Sequence, residues 1–148
     1  MDEHGFADRL GRFFEANGLP RAAGRVMGRL LVCDPPEPTF DELVEAVGAS
    51  RSTVSVAAQL LIRLDLVERF SVPGQRRDRY RLRDDAWTSM LKQDIAAARQ
   101  LRALADDGLR VVGSQPPARQ ARLRAMREFS VFLEEAYTPI LAEWEKRT

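Results

Sequence analysis

Apolar residues recur at helical spacing along most of the chain, interrupted near the middle by a short stretch with the period of a β-strand. Phe6 and Leu10 belong to a pattern that predicts a first amphipathic helix over residues 3–17. Pro20 suits the first turn of a second helix, which the proline-rich segment 34–38 ends.

The second helix carries glycines and arginines at regular intervals. Gly24 and Gly28 lie one turn apart in a segment where glycine weakens a helix, so we expect them to let another backbone approach closely. Arg21, Arg25 and Arg29 follow the same spacing on another face, where we expect solvent or ion pairs.

A pair of short helices comes next. Thr39 and Glu42 form a capping box that starts a third helix, Gly48 closes it, and Ser50 caps a fourth helix running to about Leu64. Two helices joined by a short turn containing glycine are a helix-turn-helix signature. The apolar positions agree, because one side of each helix can enter a common core: Leu43, Val47, Val54, Ala57, Leu61 and Leu64.

A β-hairpin follows the fourth helix and completes a winged helix-turn-helix. The segment 66–72 is rich in β-forming residues, Pro73-Gly74 is turn chemistry, and residues 79–83 alternate strictly. Alternation places Tyr80 and Leu82 on one face and three arginines on the other. That basic face is either open to a binding partner or an ordinary solvated strand face.

Two long helices account for the rest of the chain. Asp84 or Asp85 caps a helix that we expect to stop at Gly108, and Pro116-Pro117 opens another with a kink at Pro139. The last helix would reach about 45 Å, whereas a compact chain of this length has a radius of gyration of about 15 Å. Part of its apolar seam therefore needs a second chain.

The predicted architecture is mainly α-helical with a small β-hairpin. Residues 20–84 form a winged helix-turn-helix lobe that we expect to bind DNA. Residues 1–19 and 85–148 form a helical dimerisation layer, so the expected assembly is a homodimer.

Composition excludes several classes of protein. The 148 residues are 45% apolar and 30% charged, which is typical of a globular domain. No apolar run approaches the roughly 20 residues that span a membrane, so we expect a cytoplasmic protein without membrane contact. Lone Cys33 is typical of a small core residue, although the sequence leaves a redox role open. With one histidine and no phosphate-binding loop or nucleophile motif, we expect no enzymatic activity, no metal site and no cofactor.

Charge is distributed unevenly, although the net charge is only +1. Residues 51–83 contain eight arginines against three acidic residues, a net charge of +5. Residues 1–50 carry a net charge of −4, and residues 84–148 carry none. Such a basic segment is typical of a surface that binds a polyanion.

The fourth helix and the hairpin together predict binding to double-stranded DNA. Small polar residues at the start of the helix can reach phosphates or base edges in the major groove, where arginine reads guanine and Gln59 can pair with adenine. Arg76 and Arg77 at the hairpin tip contact phosphates or enter the adjoining minor groove. Two lobes related by a dimer axis predict a pseudo-palindromic operator. The candidate DNA-binding residues are Ser50, Arg51, Ser52, Thr53, Ser55, Gln59, Arg76, Arg77 and Arg79.

Two other functions remain open at the level of sequence. A winged helix can serve as a protein-interaction module that does not bind DNA, and a DNA-bound dimer can activate transcription rather than repress it. Binding to promoter DNA that weakens steeply with salt would favour the DNA-binding function over the interaction module.

The order of elements resembles the MarR superfamily, and the short first wing strand resembles its GbsR-like branch. Scattered blocks are similar to the MmpR-type repressors of mycobacterial MmpS–MmpL efflux systems: Gly24-Arg25, Leu30–Pro35, Arg76-Arg77, Arg81–Arg83, Leu104–Asp106 and Gly108–Arg110. The resemblance covers nearly the whole chain. It implies a homodimeric repressor of a transporter or lipid-handling operon, released by a small apolar or amphipathic effector.

One position departs from the pattern of this superfamily. Many of its wings carry an Asp directly before the paired arginines, where this chain has Gln75, with Asp78 on the other side.

Position along the chain also suggests residues that could line an effector pocket. These residues are equally typical of an ordinary hydrophobic core: Phe14, Val26, Phe70, Trp87 and Leu91.

Overall fold

The computed structural model of the protein describes residues 1–114 and 116–148. Its elements are α1 (Glu3–Ala16), α2 (Arg21–Val32), α3 (Phe40–Val47), α4 (Arg51–Arg63), β1 (Val67–Phe70), β2 (Arg79–Leu82), α5 (Ala86–Val112) and α6 (Pro117–Arg147). The chain forms two compact units, Met1–Ala86 and Trp87–Thr148. The predicted order of helices and hairpin is confirmed.

The first unit begins with α1 packed along α2 at glycine positions. A Cβ atom at Gly24 would lie 2.6 Å from the Leu10 carbonyl oxygen, and one at Gly28 would lie 2.7 Å from Ala7 Cα. Both distances are too short for a side chain, so the close backbone approach predicted from these glycines is confirmed. The arginines on the other face of α2 form ion pairs with α1, including Arg21 with Asp8 at 2.7 Å.

The helix-turn-helix is closed by the caps that the sequence predicts. Thr39 and Glu42 make both hydrogen bonds of the capping box, and Gly48 ends α3 with φ at 70°. The Ser50 side chain accepts from the Thr53 amide and so caps α4. The common core beneath these helices is built from buried residues of α2, α3, α4 and the wing: Val26, Leu30, Leu43, Val47, Val54, Ala57, Leu61, Val67 and Tyr80.

The two wing strands pair antiparallel with Val67 opposite Leu82 and Phe70 opposite Arg79. β1 is shorter than the predicted segment 66–72, since pairing ends at Phe70. An isolated bridge between Thr39 and Arg79 attaches β2 to the start of α3. This attachment sets the position of the wing beside the helix-turn-helix.

The second unit is an antiparallel helical hairpin of α5 and α6. Trp144 Nε1 donates to Thr88 Oγ1 at 3.0 Å near one end, and Arg127 pairs with Asp106 at 2.7 Å towards the other. The expectation that α5 stops at Gly108 is wrong, because the helix continues to Val112. A Cβ at Gly108 would lie 2.6 Å from Leu123 Cδ2, so this glycine allows α6 to approach α5.

Large apolar side chains remain exposed on this hairpin, among them Leu104, Phe129, Phe132 and Ile140. They lie where the sequence predicts a dimerisation layer, and that layer stays a prediction, as do the domain boundaries of residues 1–19, 20–84 and 85–148. Among the described residues, none of the helices combines the length and the apolar composition that a membrane span requires.

Candidate nucleic-acid interface

The outward face of α4 presents a row of polar side chains. Arg51, Ser52, Thr53 and Gln59 are exposed, and Ser55 is half-buried. Because Val54, Ala57, Ala58 and Leu61 fill the inner face of this helix, these polar residues must face away from the core. The structure therefore brings the predicted base-reading residues of α4 onto one accessible surface.

Hydroxyl groups cluster at the start of this surface. Ser50 Oγ lies 2.7 Å from Thr53 Oγ1 and 3.2 Å from Ser52 Oγ, and it also accepts from the Thr53 amide. Ser50 thus has a structural role as the N-cap of α4. Its hydroxyl also fixes the orientation of the two neighbouring hydroxyls that the sequence assigns to DNA.

One exposed residue on this face is apolar and was not among the DNA-binding residues predicted from the sequence. Val56 is 64% exposed, one turn beyond Ser52, although α4 has a complete apolar inner face without it. An exposed valine on a recognition helix can contact the methyl group of thymine in the major groove. The signal was present in the sequence, because Val56 falls outside the helical spacing of the buried residues.

The wing tip is connected to the start of α4 through a carboxylate. Arg77 Nη1 donates to Asp41 Oδ2 at 2.6 Å, and Arg51 Nη1 donates to Asp41 Oδ1. The hydrogen bond from Arg51 holds the pKa of Asp41 below its ordinary value. Asp41 therefore stays ionised while it faces two of the predicted DNA-binding arginines.

The turn of the wing contains a set of hydrogen bonds to Asp78, which we call the wing brace. Asp78 accepts from Ser71 Oγ and from Arg69 Nε, both at 2.7 Å. The hydrogen bond from Ser71, followed by that from Arg69, lowers the pKa of Asp78. The wing brace joins the two sides of the turn, so the wing tip has a defined direction without an Asp at position 75.

These groups surround a cleft of about 310 Å³ between the start of the helix-turn-helix and the wing. Its charged lining consists of four guanidinium groups and two carboxylates, contributed by Arg51, Arg69, Arg76, Arg77, Asp41 and Asp78. Arg76 is exposed. The cleft is therefore a positively charged recess beside the outward face of α4, suited to an anion.

Arg81 in β2 and Arg83 directly after it do not form the open basic face that is one of the two expectations. Arg81 pairs with Glu68 at 2.6 Å and Glu37 at 3.1 Å, and its guanidinium lies over the Phe70 ring at 4.0 Å. Arg83 pairs with Asp85 at 2.9 Å. The sequence could not show the pair with Glu37, because that residue lies 44 positions from Arg81 along the chain.

Arg79 also has partners within the first unit. It donates from Nη1 to the Glu37 carbonyl oxygen at 2.7 Å and from Nε to Gln75 Oε1 at 2.8 Å. These bonds hold the base of the wing against the segment before α3. A contact between Arg79 and DNA stays a prediction.

The predicted effector residues occur in different surroundings. Phe14 and Val26 are buried in the core of the first unit, and Phe70 lies under Arg81 on the wing. In the second unit Trp87 is exposed and Leu91 is half-buried. Their assignment to a ligand pocket stays a prediction.

Cys33 is half-buried at the end of α2, and burial raises the pKa of its thiol. A raised pKa disfavours the reactive thiolate. Within residues 1–114 and 116–148, no group of three or more His, Cys, Asp or Glu side chains could hold a metal ion.

A helix-turn-helix with an outward polar helix face and a wing beside a basic cleft defines a winged-helix DNA-binding protein. Residues 85–147 match the family described as MmpR5-like MarR family transcriptional regulators. The chain is 40% identical over 143 residues to the HTH-type transcriptional regulator MmpR5 of Mycobacterium tuberculosis, covering 97% of this chain and 87% of that protein. This chain belongs to the MmpR5-like MarR family of transcriptional regulators, which is not a class of enzymes.

Two further relatives are also described as transcriptional regulators. A solved crystal structure of a transcriptional regulator is 38% identical, covers 99% of both chains and has a TM-score of 0.90. The putative HTH-type transcriptional regulator YvaV of Bacillus subtilis is 28% identical over 89 residues, covering 60% of this chain and 50% of that protein. Regulators of the MarR type bind DNA, typically as dimers.

Proposed function

We propose that the protein is a homodimeric repressor that binds a pseudo-palindromic operator through α4 and the wing tip. The observation that carries this proposal is the position of the Arg76 and Arg77 cleft beside the outward face of α4, within one compact unit. In this arrangement α4 enters the major groove while the wing tip reaches the neighbouring backbone.

The roles of the residues follow from their chemistry. Ser52, Ser55 and Gln59 read base edges, and Val56 contacts thymine methyl groups, so these residues carry sequence preference. Arg76 and Arg77 contact phosphates and supply affinity for any sequence. Family membership favours this function over a winged-helix module that binds only protein.

A repressor also needs a signal that releases it. We propose a small apolar or amphipathic effector that binds the dimer better when its recognition helices have a spacing that does not fit the operator. The similarity to MmpR5 supports control of an efflux or lipid transporter operon. The four-residue strand β1 supports placing the protein in the GbsR-like branch of the superfamily.

The first experiment is a salt titration of binding to promoter DNA, measured by fluorescence anisotropy. We expect affinity to fall steeply with salt, and the double variant Arg76→Ala, Arg77→Ala to bind all sequences more weakly by roughly ten- to a hundredfold. The slope of affinity against salt should decrease by about one for each phosphate that the variant no longer reaches.

A control variant, Lys146→Ala with Arg147→Ala, removes the same charge from the end of α6 and should leave affinity nearly unchanged. Equal binding by the wing variant and the wild type would remove the wing from the interface. Promoter-dependent transcription in vitro then distinguishes repression from activation, since an activator would raise transcript levels.

A further inference from the structure

A single carboxylate holds two of the arginines that the DNA interface needs. Asp41 lies in the first turn of α3 and accepts Arg51 on one oxygen and Arg77 on the other, the latter at 2.6 Å. The two arginine side chains are 66% and 70% exposed, so they remain accessible to a larger anion. Asp41 thereby connects the first residue of the recognition helix with the wing tip.

The chemistry at this point matches that of a nucleic-acid backbone. A carboxylate with one guanidinium on each oxygen presents the same charge and the same two acceptors as a phosphodiester group. The second carboxylate of the cleft, Asp78, is engaged by Ser71 and Arg69 instead. Asp41 is thus the acidic group that competes with an incoming phosphate for Arg51 and Arg77.

The wing does not need Asp41 to hold its place. The Tyr80 amide donates to the Pro38 carbonyl oxygen at 2.9 Å, and Arg79 Nη1 donates to the Glu37 carbonyl oxygen at 2.7 Å. The Tyr80 ring is buried in the core. Exposed ion pairs contribute little to stability by comparison, so the ion pairs of Asp41 can break without moving β2.

We propose that Asp41 is an internal substitute for a DNA phosphate, which holds Arg51 and Arg77 in the free protein and is displaced when DNA binds. This role rests on the proposed DNA-binding function. In this role Arg51 contacts a backbone phosphate rather than the guanine predicted from the sequence, so Asp41 lowers affinity for all sequences alike. Contacts from the arginines alone then give only weak binding to DNA, so base contacts by α4 must supply the remaining affinity.

The test compares Asp41→Asn with Glu45→Gln. Both variants remove one negative charge from α3, but Glu45 is exposed and does not line the arginine cleft. Affinity for the preferred operator and for an unrelated duplex is measured by fluorescence anisotropy. We expect Asp41→Asn to bind both duplexes about three- to tenfold more tightly. Glu45→Gln should change affinity less than about twofold, because the Glu45 carboxylate does not line the arginine cleft.

A double-mutant cycle identifies the cause of the gain. The change Asp41→Asn is repeated in a protein that also carries Arg51→Ala and Arg77→Ala, with urea denaturation to confirm that each variant is folded. If Asp41 acts by occupying these arginines, its removal should no longer raise affinity in this background. A gain of equal size would mean that Asp41 only repels DNA at a distance, and the proposal would be wrong.

The outcomes separate this role from the function on which it rests. Wild-type protein that binds no duplex would overturn the DNA-binding function and the role of Asp41 together. Wild-type protein that binds, with Asp41→Asn no tighter than Glu45→Gln, would overturn the role of Asp41 alone. Weaker binding by Asp41→Asn would show instead that Asp41 positions the arginines for DNA.

Discussion

The two compact units differ in where their apolar side chains lie. The first unit has a continuous buried core that extends from α1 through the helix-turn-helix to the wing. Among the described residues of the second unit, the buried hydrophobic side chains are Ile95, Ala98 and Ala105. Its large exposed apolar residues are Trp87, Met90, Leu104, Val111, Phe129, Phe132 and Ile140.

This difference indicates two sources of stability. The first unit buries its apolar surface within one chain, whereas the α5 and α6 hairpin leaves a surface of the kind that a partner covers. A second copy of the chain is the partner that the proposed homodimer supplies. Substitutions on the exposed surface of the second unit and in the buried packing of the first should therefore have different consequences.

The largest effect is expected from charge placed on the exposed surface of α6. The double variant Phe129→Asp, Phe132→Asp should convert the dimer to monomer, because two carboxylates would be buried at the interface without partners. Operator affinity should fall by at least about a hundredfold, since single lobes lose the second half-site. Light scattering after gel filtration measures the first result and anisotropy the second.

The matched control for that variant is Arg124→Asp, an exposed polar position on a different face of the same helix. It should leave the molar mass unchanged. A doubly substituted protein that remained dimeric would show that the dimer interface lies elsewhere, and the exposed apolar surface of the second unit would need another explanation.

Glycine positions give an effect of intermediate size. Gly24 meets the Leu10 carbonyl oxygen, which belongs to the backbone, so Gly24→Ala should reduce the free energy of unfolding by about 1–3 kcal/mol. Gly108 meets the end of the flexible Leu123 side chain, which can rotate away. Gly108→Ala should therefore stay within about 1 kcal/mol of wild type, aided by the better helix propensity of alanine.

Urea denaturation of both glycine variants checks this contrast. Equal destabilisation at the two positions would mean that the second unit packs as rigidly as the first. A stable Gly24→Ala protein would instead show that α1 and α2 can separate without cost.

The smallest effect concerns acid stability and involves both units. The hydrogen bond from Arg21 lowers the pKa of Asp8, and that from Arg99 lowers the pKa of Glu134, from ordinary values of 3.8 and 4.5. A folded-state pKa below the unfolded value gives stability that is present above the unfolded pKa and lost as pH falls through the folded pKa.

We therefore expect the urea midpoint to decline modestly as pH is lowered from about 5 to about 3, and to decline less in high salt, which screens these exposed pairs. A midpoint independent of pH over this range would show that the ion pairs contribute nothing to folding. A rising midpoint would reverse the sign that the two lowered pKa values require.

Local sequence signals were sufficient for most of the fold. The Thr39 capping box, the Ser50 cap and the turn at Pro73-Gly74 depend on neighbouring residues, so they could be read directly. The continuation of α5 through Gly108 could not, because the reason for that glycine is its packing against Leu123 on another helix.

The candidate site was harder to predict than the fold. Nothing in the sequence connects Asp41 with Arg77, since they lie 36 residues apart and meet only after the wing folds back on α3. A net charge of +5 in residues 51–83 also overstates the exposed positive charge, because Glu37, Asp41 and Asp85 pair with its arginines.

The placement of the two tryptophans has a practical consequence for spectroscopy. Both tryptophans of the chain, Trp87 and Trp144, belong to the second unit, while the first unit has only Tyr80 and several phenylalanines as aromatic side chains. Native indole emission is therefore an intrinsic optical signal from the α5 and α6 hairpin. In the proposed homodimer, this signal provides a way to follow subunit separation without attaching a dye to α4.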